Sequence, residues 1–159
     1  MKKIVLVFLI SFLTSLSYAQ GLAMSSGILD YSDGQQRTGF AEVTYIFKNN
    51  NNESIFGKFT PITGAMITQN NATMLYTGIE GNFSIGKLFI NPSFSPGYYD
   101  KGNGKDLGSH FEFKSQINLG WNFANSSNAG LSYSHISNAN VGIKNPGVNN
   151  IAFTFFRQY

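Results

Sequence analysis

Between Ser109 and Phe123 the chain alternates with a period of two. Phe111, Phe113, Ile117, Leu119, Trp121 and Phe123 occupy one parity, and His110, Glu112, Lys114, Gln116, Asn118 and Asn122 the other. Successive side chains of a β-strand point to opposite faces, so this stretch carries one bulky apolar face and one face of charges and amides. The last segment repeats the pattern, with Ile151, Phe153, Phe155 and Tyr159 in phase and Ala152, Thr154 and Gln158 between them. A soluble sandwich or lipocalin-like barrel would turn its apolar side chains inward and carry more charge outside. Only 12% of this chain is charged, against 15% aromatic, where an average soluble domain carries roughly 25% charge. A mean hydropathy of −0.10 excludes a helical membrane protein. An apolar exterior around a polar interior is the pattern of a membrane β-barrel.

Turn chemistry divides the chain into candidate strands near 21–29, 36–48, 54–66, 73–82, 84–96, 106–124, 128–138 and 147–159. Eight is the even number that a closed antiparallel barrel needs to keep both termini on one side. The fold class expected is therefore all-β, an eight-stranded antiparallel transmembrane barrel. Connections at Asn49–Glu53, Gly81–Phe83 and Asn125–Asn128 are short, while those at Asp30–Gln35, Ile67–Ala72, Gly97–Lys105 and Ala139–Pro146 are mostly longer. Short periplasmic turns and longer outer loops are the asymmetry of outer-membrane barrels. The narrow lumen of a small barrel is filled by side chains, here Glu42, Lys58, Glu80, Glu112 and Lys114 as paired groups. The fifth strand, with Lys87, Asn91, Pro92 and Pro96, alternates too poorly to fix its register.

Residues 1–19 read as an export signal: Lys2 and Lys3 precede a mostly apolar run from Ile4 to Leu16, and Ser17-Tyr18-Ala19 offers small residues at a cleavage site. The apolar run is shorter than the ~20 residues a spanning helix needs. Residues 20–159 then form the barrel domain, with nine basic and eight acidic side chains. So dispersed a charge points to no nucleic-acid partner. Zero cysteines exclude a disulfide scaffold, thiolate catalysis and a zinc–thiolate site. No Asp, Glu or His cluster has metal-ligand spacing, and no cofactor is expected.

The chemistry lies near the end. In Gly130–Asn138, His135 and Ser137 share parity with Leu131 and Tyr133, and Asn149 shares parity with Ile151, Phe153 and Phe155. All three polar side chains then face lipid at the loop end of neighbouring strands. There each costs ~1–4 kcal/mol unless partnered or near the interface. His135 alone also reads as an interfacial side chain, and Ser137-Asn138 and Asn149-Asn150 as the two ends of a loop. The shared face is what joins them. His135 is placed to take the Ser137 proton while Asn149 orients the imidazole through its other nitrogen, a serine-hydrolase arrangement on a wall where the substrate is a lipid.

His135-Ile136-Ser137-Asn138-Ala139, then Asn145-Pro146-Gly147-Val148-Asn149 and an aromatic last strand, resembles the PagL lipid A 3-O-deacylase family, as does Asn128-Ala129-Gly130-Leu131 before them. The resemblance implies an eight-stranded outer-membrane enzyme with a lipid-facing His–Ser–acid triad. Such an enzyme hydrolyses the ester that links the 3-hydroxyacyl chain to position 3 of lipid A. It implies Ser137 as nucleophile, His135 as general base, and Asn138 and Asn145 at the oxyanion hole, through their amides or adjacent backbone N–H groups. Lipid A in lipopolysaccharide is then substrate and partner, in the bacterial outer membrane; a homodimer is left open. One departure stands out: the family's acid, fourteen residues after its His, is Asn149 here. The alternatives are a non-enzymatic small barrel serving as anchor, adhesin or envelope-integrity protein, and an esterase acting on another acyl lipid. Lys101, Lys105 and Lys144 read as outer-loop residues, either solvated or in reach of lipid A phosphates; Asp106 and His110 read as solvated.

Overall fold

The computed structural model describes residues 19–47, 59–123 and 126–158. Residues 1–18 of the expected export signal, the turn expected at Asn49–Glu53, Lys58 and Tyr159 lie outside the described residues. Strands run over Ala19–Leu29 (β1), Thr38–Phe47 (β2), Phe59–Thr68 (β3), Thr73–Gly81 (β4), Phe83–Ile85 (β5), Leu88–Asp100 (β6), Phe111–Asn122 (β7), Ser127–Ser137 (β8) and Val148–Gln158 (β9). Neighbouring strands pair antiparallel, β1 pairs with β9, and β4 pairs with β6, which closes the sheet. β5 is a three-residue spur on the start of β6, so the barrel has eight staves as expected.

The fifth stave departs from the sequence reading. It was expected at 84–96 and lies at Leu88–Asp100. The tight turn falls at Gly86-Lys87, where Gly86 takes a φ of +61° and Ile85 faces Leu88. Gly97, expected to open a loop, instead pairs with Tyr76 inside the strand, and a side chain there would strike Leu75 O. The β4–β6 ladder lapses between Tyr76↔Gly97 and Ile79↔Phe94, beside Pro96, which has no N–H to give. The sixth stave starts at Phe111 rather than 106, because Asp106 Oδ1 accepts from Gly108 N at 2.9 Å and Gly108 takes a φ of +89°. Both features bend the chain out of the ladder.

Outward positions form an apolar belt that includes Leu75, Leu119, Leu131 (62% exposed) and Phe153 (58%). A soluble monomer rarely shows so continuous an apolar surface; a barrel wall in lipid requires it. Inward positions are mixed. Lys114 is ion-paired with Glu42, Tyr76 Oη donates to Glu42 Oε1 at 2.8 Å, and Asn118 Nδ2 donates to Glu80 Oε2 at 3.3 Å. These pairs fill the lumen as expected. Glu112 also points inward and is fully buried, yet neither of its carboxylate oxygens has a hydrogen-bond partner among the described residues.

Removing one member of a buried pair leaves an uncompensated charge, at about 3–5 kcal/mol. Lys114→Ala is therefore expected to destabilise the barrel by about that amount in urea unfolding from lipid vesicles. The double change of Lys114 and Glu42 to Met and Leu is expected to recover part of the loss, because Glu42 is no longer left without its cation, while the buried Glu80 carboxylate keeps only the hydrogen bond from Asn118.

Candidate active site

β8 and β9 lie side by side, and their register sets His135 directly opposite Asn149. On the other side of β8, β7 sets Ser115 opposite His135 and Phe113 opposite Ser137. Ser132, Ser134 and Ile136 are buried in the lumen, and Leu131 and Tyr133 are exposed. Alternation therefore turns His135 and Ser137 to the outer wall, and Asn149, next to buried Val148 and Asn150, faces the same way. All three are half-buried at the loop end of the barrel.

His135 Nδ1 and Asn149 Oδ1 are 2.8 Å apart, and Tyr133 Oη donates to the same oxygen at 3.0 Å. Because an amide oxygen only accepts, Nδ1 carries a proton, and in the neutral ring Nε2 keeps its lone pair. The Asn149 backbone is fixed as well, since its carbonyl accepts from Tyr31 N at 3.0 Å. Gly147 (φ +58°) packs over the imidazole: a Cβ built there would sit 2.9 Å from Cε1 and 3.3 Å from Nε2. Glycine meets two needs at that position, the left-handed backbone and the room for the ring.

Ser137 follows His135 on the same face, with Cβ atoms about 6.5–7 Å apart for residues two along a strand. No hydrogen bond joins the two side chains among the described residues. Such contacts commonly tighten when substrate binds.

Asn138 and Asn145 meet in the loop between β8 and β9. Asn138 N donates to Asn145 Oδ1 at 3.1 Å. The Asn138 carboxamide is fully buried; its Nδ2 donates to Leu107 O and Lys144 O, both at 2.8 Å, and its Oδ1 accepts from Asn140 N at 3.0 Å. Asn138 thus ties the β8–β9 loop to the β6–β7 loop, with Ala139 and Asn140 turning the chain at φ of 53° and 65°. In the Asn138–Asn145 bond Asn145 uses its oxygen, which leaves its Nδ2 as a donor.

The loop lysines sit in ion pairs. Lys105 meets Asp30 at 2.6 Å, while Lys101 and Lys144 share Asp106 at 3.4 and 3.3 Å. The Gly108 N–H first, and then Lys144, hold the exposed Asp106 carboxyl below the usual range. His110 stacks on Tyr98 and its Nδ1 lies 2.9 Å from Tyr99 O, remote in sequence from the His135 cluster. Two members of the site escaped the sequence reading. Gly147 was visible only as part of a loop motif, and Tyr133 only as a lipid-facing aromatic. Tyr133 pairs with Ile151, so Asn149 is its diagonal neighbour, within reach of a long aromatic side chain.

A family model described as lipid A 3-O-deacylase (PagL) matches residues 25–157. Among solved structures, the outer membrane enzyme PagL aligns with a TM-score of 0.65 at 19% identity, over 87% of this chain and 99% of that one. A de novo designed transmembrane β-barrel aligns with a TM-score of 0.56 at 7% identity, over 89% and 97% of the two chains. Neisserial surface protein A aligns with a TM-score of 0.56 at 8% identity, over 87% and 96%. At these identities the structural likenesses speak for the barrel fold. A sequence comparison with curated proteins gives no match.

Proposed function

The chain belongs to the lipid A 3-O-deacylase (PagL) family, and from that premise we propose that it is an outer-membrane ester hydrolase that removes the 3-hydroxyacyl chain from position 3 of lipid A through Ser137, His135 and Asn149. The observation that carries this reading is the hydrogen bond from His135 Nδ1 to Asn149 Oδ1 on the lipid-facing wall. It leaves Nε2 as a base on the side chain two residues from a serine hydroxyl. Residues 1–19 direct export, and the barrel domain follows from Gln20.

His135 Nε2 takes the Ser137 proton as Oγ attacks the ester carbonyl, forming a tetrahedral intermediate. Negative charge develops on the former carbonyl oxygen. Asn145 Nδ2, and backbone N–H groups of the loop that Asn138 ties down, are the donors assigned to it. The imidazolium protonates the departing sugar oxygen, leaving an acyl–Ser137 ester. Water, deprotonated by the same imidazole, then releases the 3-hydroxy fatty acid and restores the serine. Asn149 keeps the ring oriented but brings no negative charge to the imidazolium. A serine nucleophile, a base and an oxyanion site suffice for ester cleavage, so no cofactor enters.

The measurement that tests this is the mass spectrum of lipid A from cells expressing the chain, which is expected to lose one 3-hydroxyacyl mass. An unchanged spectrum with folded, heat-modifiable protein in the outer membrane favours a non-enzymatic barrel. Release of fatty acid from phospholipid, with lipid A intact, transfers the same site to another acyl ester.

A further inference from the structure

We propose that Tyr133 is a positioning residue of this site: its phenol selects which end of the Asn149 carboxamide faces His135, and thereby which imidazole nitrogen serves as base. The inference rests on the reading of Ser137, His135 and Asn149 as the hydrolytic site.

A carboxamide has two chemically different ends. With Oδ1 toward the ring, Nδ1 donates and Nε2 is free to accept the Ser137 proton. With Nδ2 toward the ring, Nδ1 must accept, the ring proton moves to Nε2, and the base is lost. A carboxylate has no wrong end, because both of its oxygens accept. An asparagine at position 149 therefore needs a neighbour that tells oxygen from nitrogen.

Tyr133 has the chemistry and the placement to do so. Its Oη lies 3.0 Å from the same Asn149 oxygen that meets His135 at 2.8 Å. A phenol is a good donor and a weak acceptor, since its lone pair is delocalised into the ring. Facing Tyr133, an amide oxygen is favoured over an NH2 group. The phenol is itself fixed: the Tyr31 ring meets it edge-on at 6.4 Å and 67°, and Tyr31 N donates to Asn149 O. The surrounding wall is apolar, with Leu131, Ile151 and Phe153 exposed to lipid. A hydrogen bond there meets less competition from water than one at an aqueous surface, and its preference counts for more.

The test compares Tyr133→Phe in two backgrounds. With Asn149 present, the loss of one selecting hydrogen bond is expected to lower kcat on lipid A by about fivefold to tenfold, with KM little changed. In the Asn149→Glu background the same change is expected to alter kcat by less than about twofold, because nothing remains to be selected. Nitrogen NMR of histidine-labelled protein in micelles reads the tautomer directly, with His110→Gln removing the other imidazole of the two in the chain. Tyr133→Phe is expected to shift the His135 population from Nδ1–H toward Nε2–H. Equal losses in both backgrounds, or an unchanged tautomer in Tyr133→Phe, overturn the inference and reduce Tyr133 to packing. If Ser137→Ala keeps full activity, the hydrolase reading fails, and the nitrogen spectrum still decides the role of Tyr133.

Discussion

Ser137→Ala and His135→Ala are each expected to preserve the 3-hydroxyacyl mass on lipid A, with kcat of the purified protein lower by about a thousandfold or more. The alanine at 137 removes the only atom that forms the covalent intermediate, so no proton transfer by His135 can compensate. The alanine at 135 leaves a hydroxyl that is essentially un-ionised at neutral pH and has no base to activate it. Because nucleophile and base act as a unit, the double variant is expected to fall little further than either single one. Both positions are half-buried on the outer wall, away from the Glu42–Lys114 pairing that fills the lumen. Folding is therefore expected to survive, checked by heat-modifiable migration. Activity retained by Ser137→Ala would place the nucleophile elsewhere and end the assignment.

Asn149 carries the second large effect, and it runs in both directions. Asn149→Leu removes the acceptor that holds Nδ1–H and leaves the ring free to rotate or to take the wrong tautomer. Loss of the orienting carboxylate in serine hydrolases costs about 10⁴ in kcat, and a loss of up to about that size is expected here in the lipid A assay. Asn149→Glu keeps an acceptor on the same face, one methylene further from the backbone, and adds a negative charge beside the imidazolium that forms in the transition state. The carboxylate is costly against hydrocarbon, but least so near the interface, where the loop end lies. Activity equal to the parent or up to about tenfold higher is expected. A large fall in Asn149→Glu would contradict the orienting role assigned to position 149, whose amide oxygen now sits 2.8 Å from Nδ1.

Legibility varied along the chain for physical reasons. β7 and β9 alternate cleanly, and their parity alone placed Phe111, Trp121, Ile151 and Phe153 on the outer wall, where they lie. β6 alternates too, with Leu88, Ile90, Phe94 and Tyr98 outward. Pro92 and Pro96 hid this because they read as breakers, and the inward Phe89 and Tyr99 disguised the polar face. A barrel accepts such prolines where the ladder can lapse, which depends on the neighbouring strand and not on the strand's own sequence. Glu112 was expected to share in the lumen pairing, and its carboxylate oxygens have no hydrogen-bond partner among the described residues, because the heights of side chains around the barrel are not encoded by period two.

The sequence by itself determined the parity of His135, Ser137 and Asn149, because side-chain direction along a strand is a local consequence of backbone geometry. It likewise determined the closed eight-stave plan. Tertiary structure alone decided the partners: that His135 stands opposite Asn149, that Tyr133 reaches the same oxygen, and that the Asn138 carboxamide ties two loops together inside the mouth. Cross-strand register and loop packing arise only when distant segments meet. A shift of two residues between β8 and β9 would keep every side chain on its face and still undo the site.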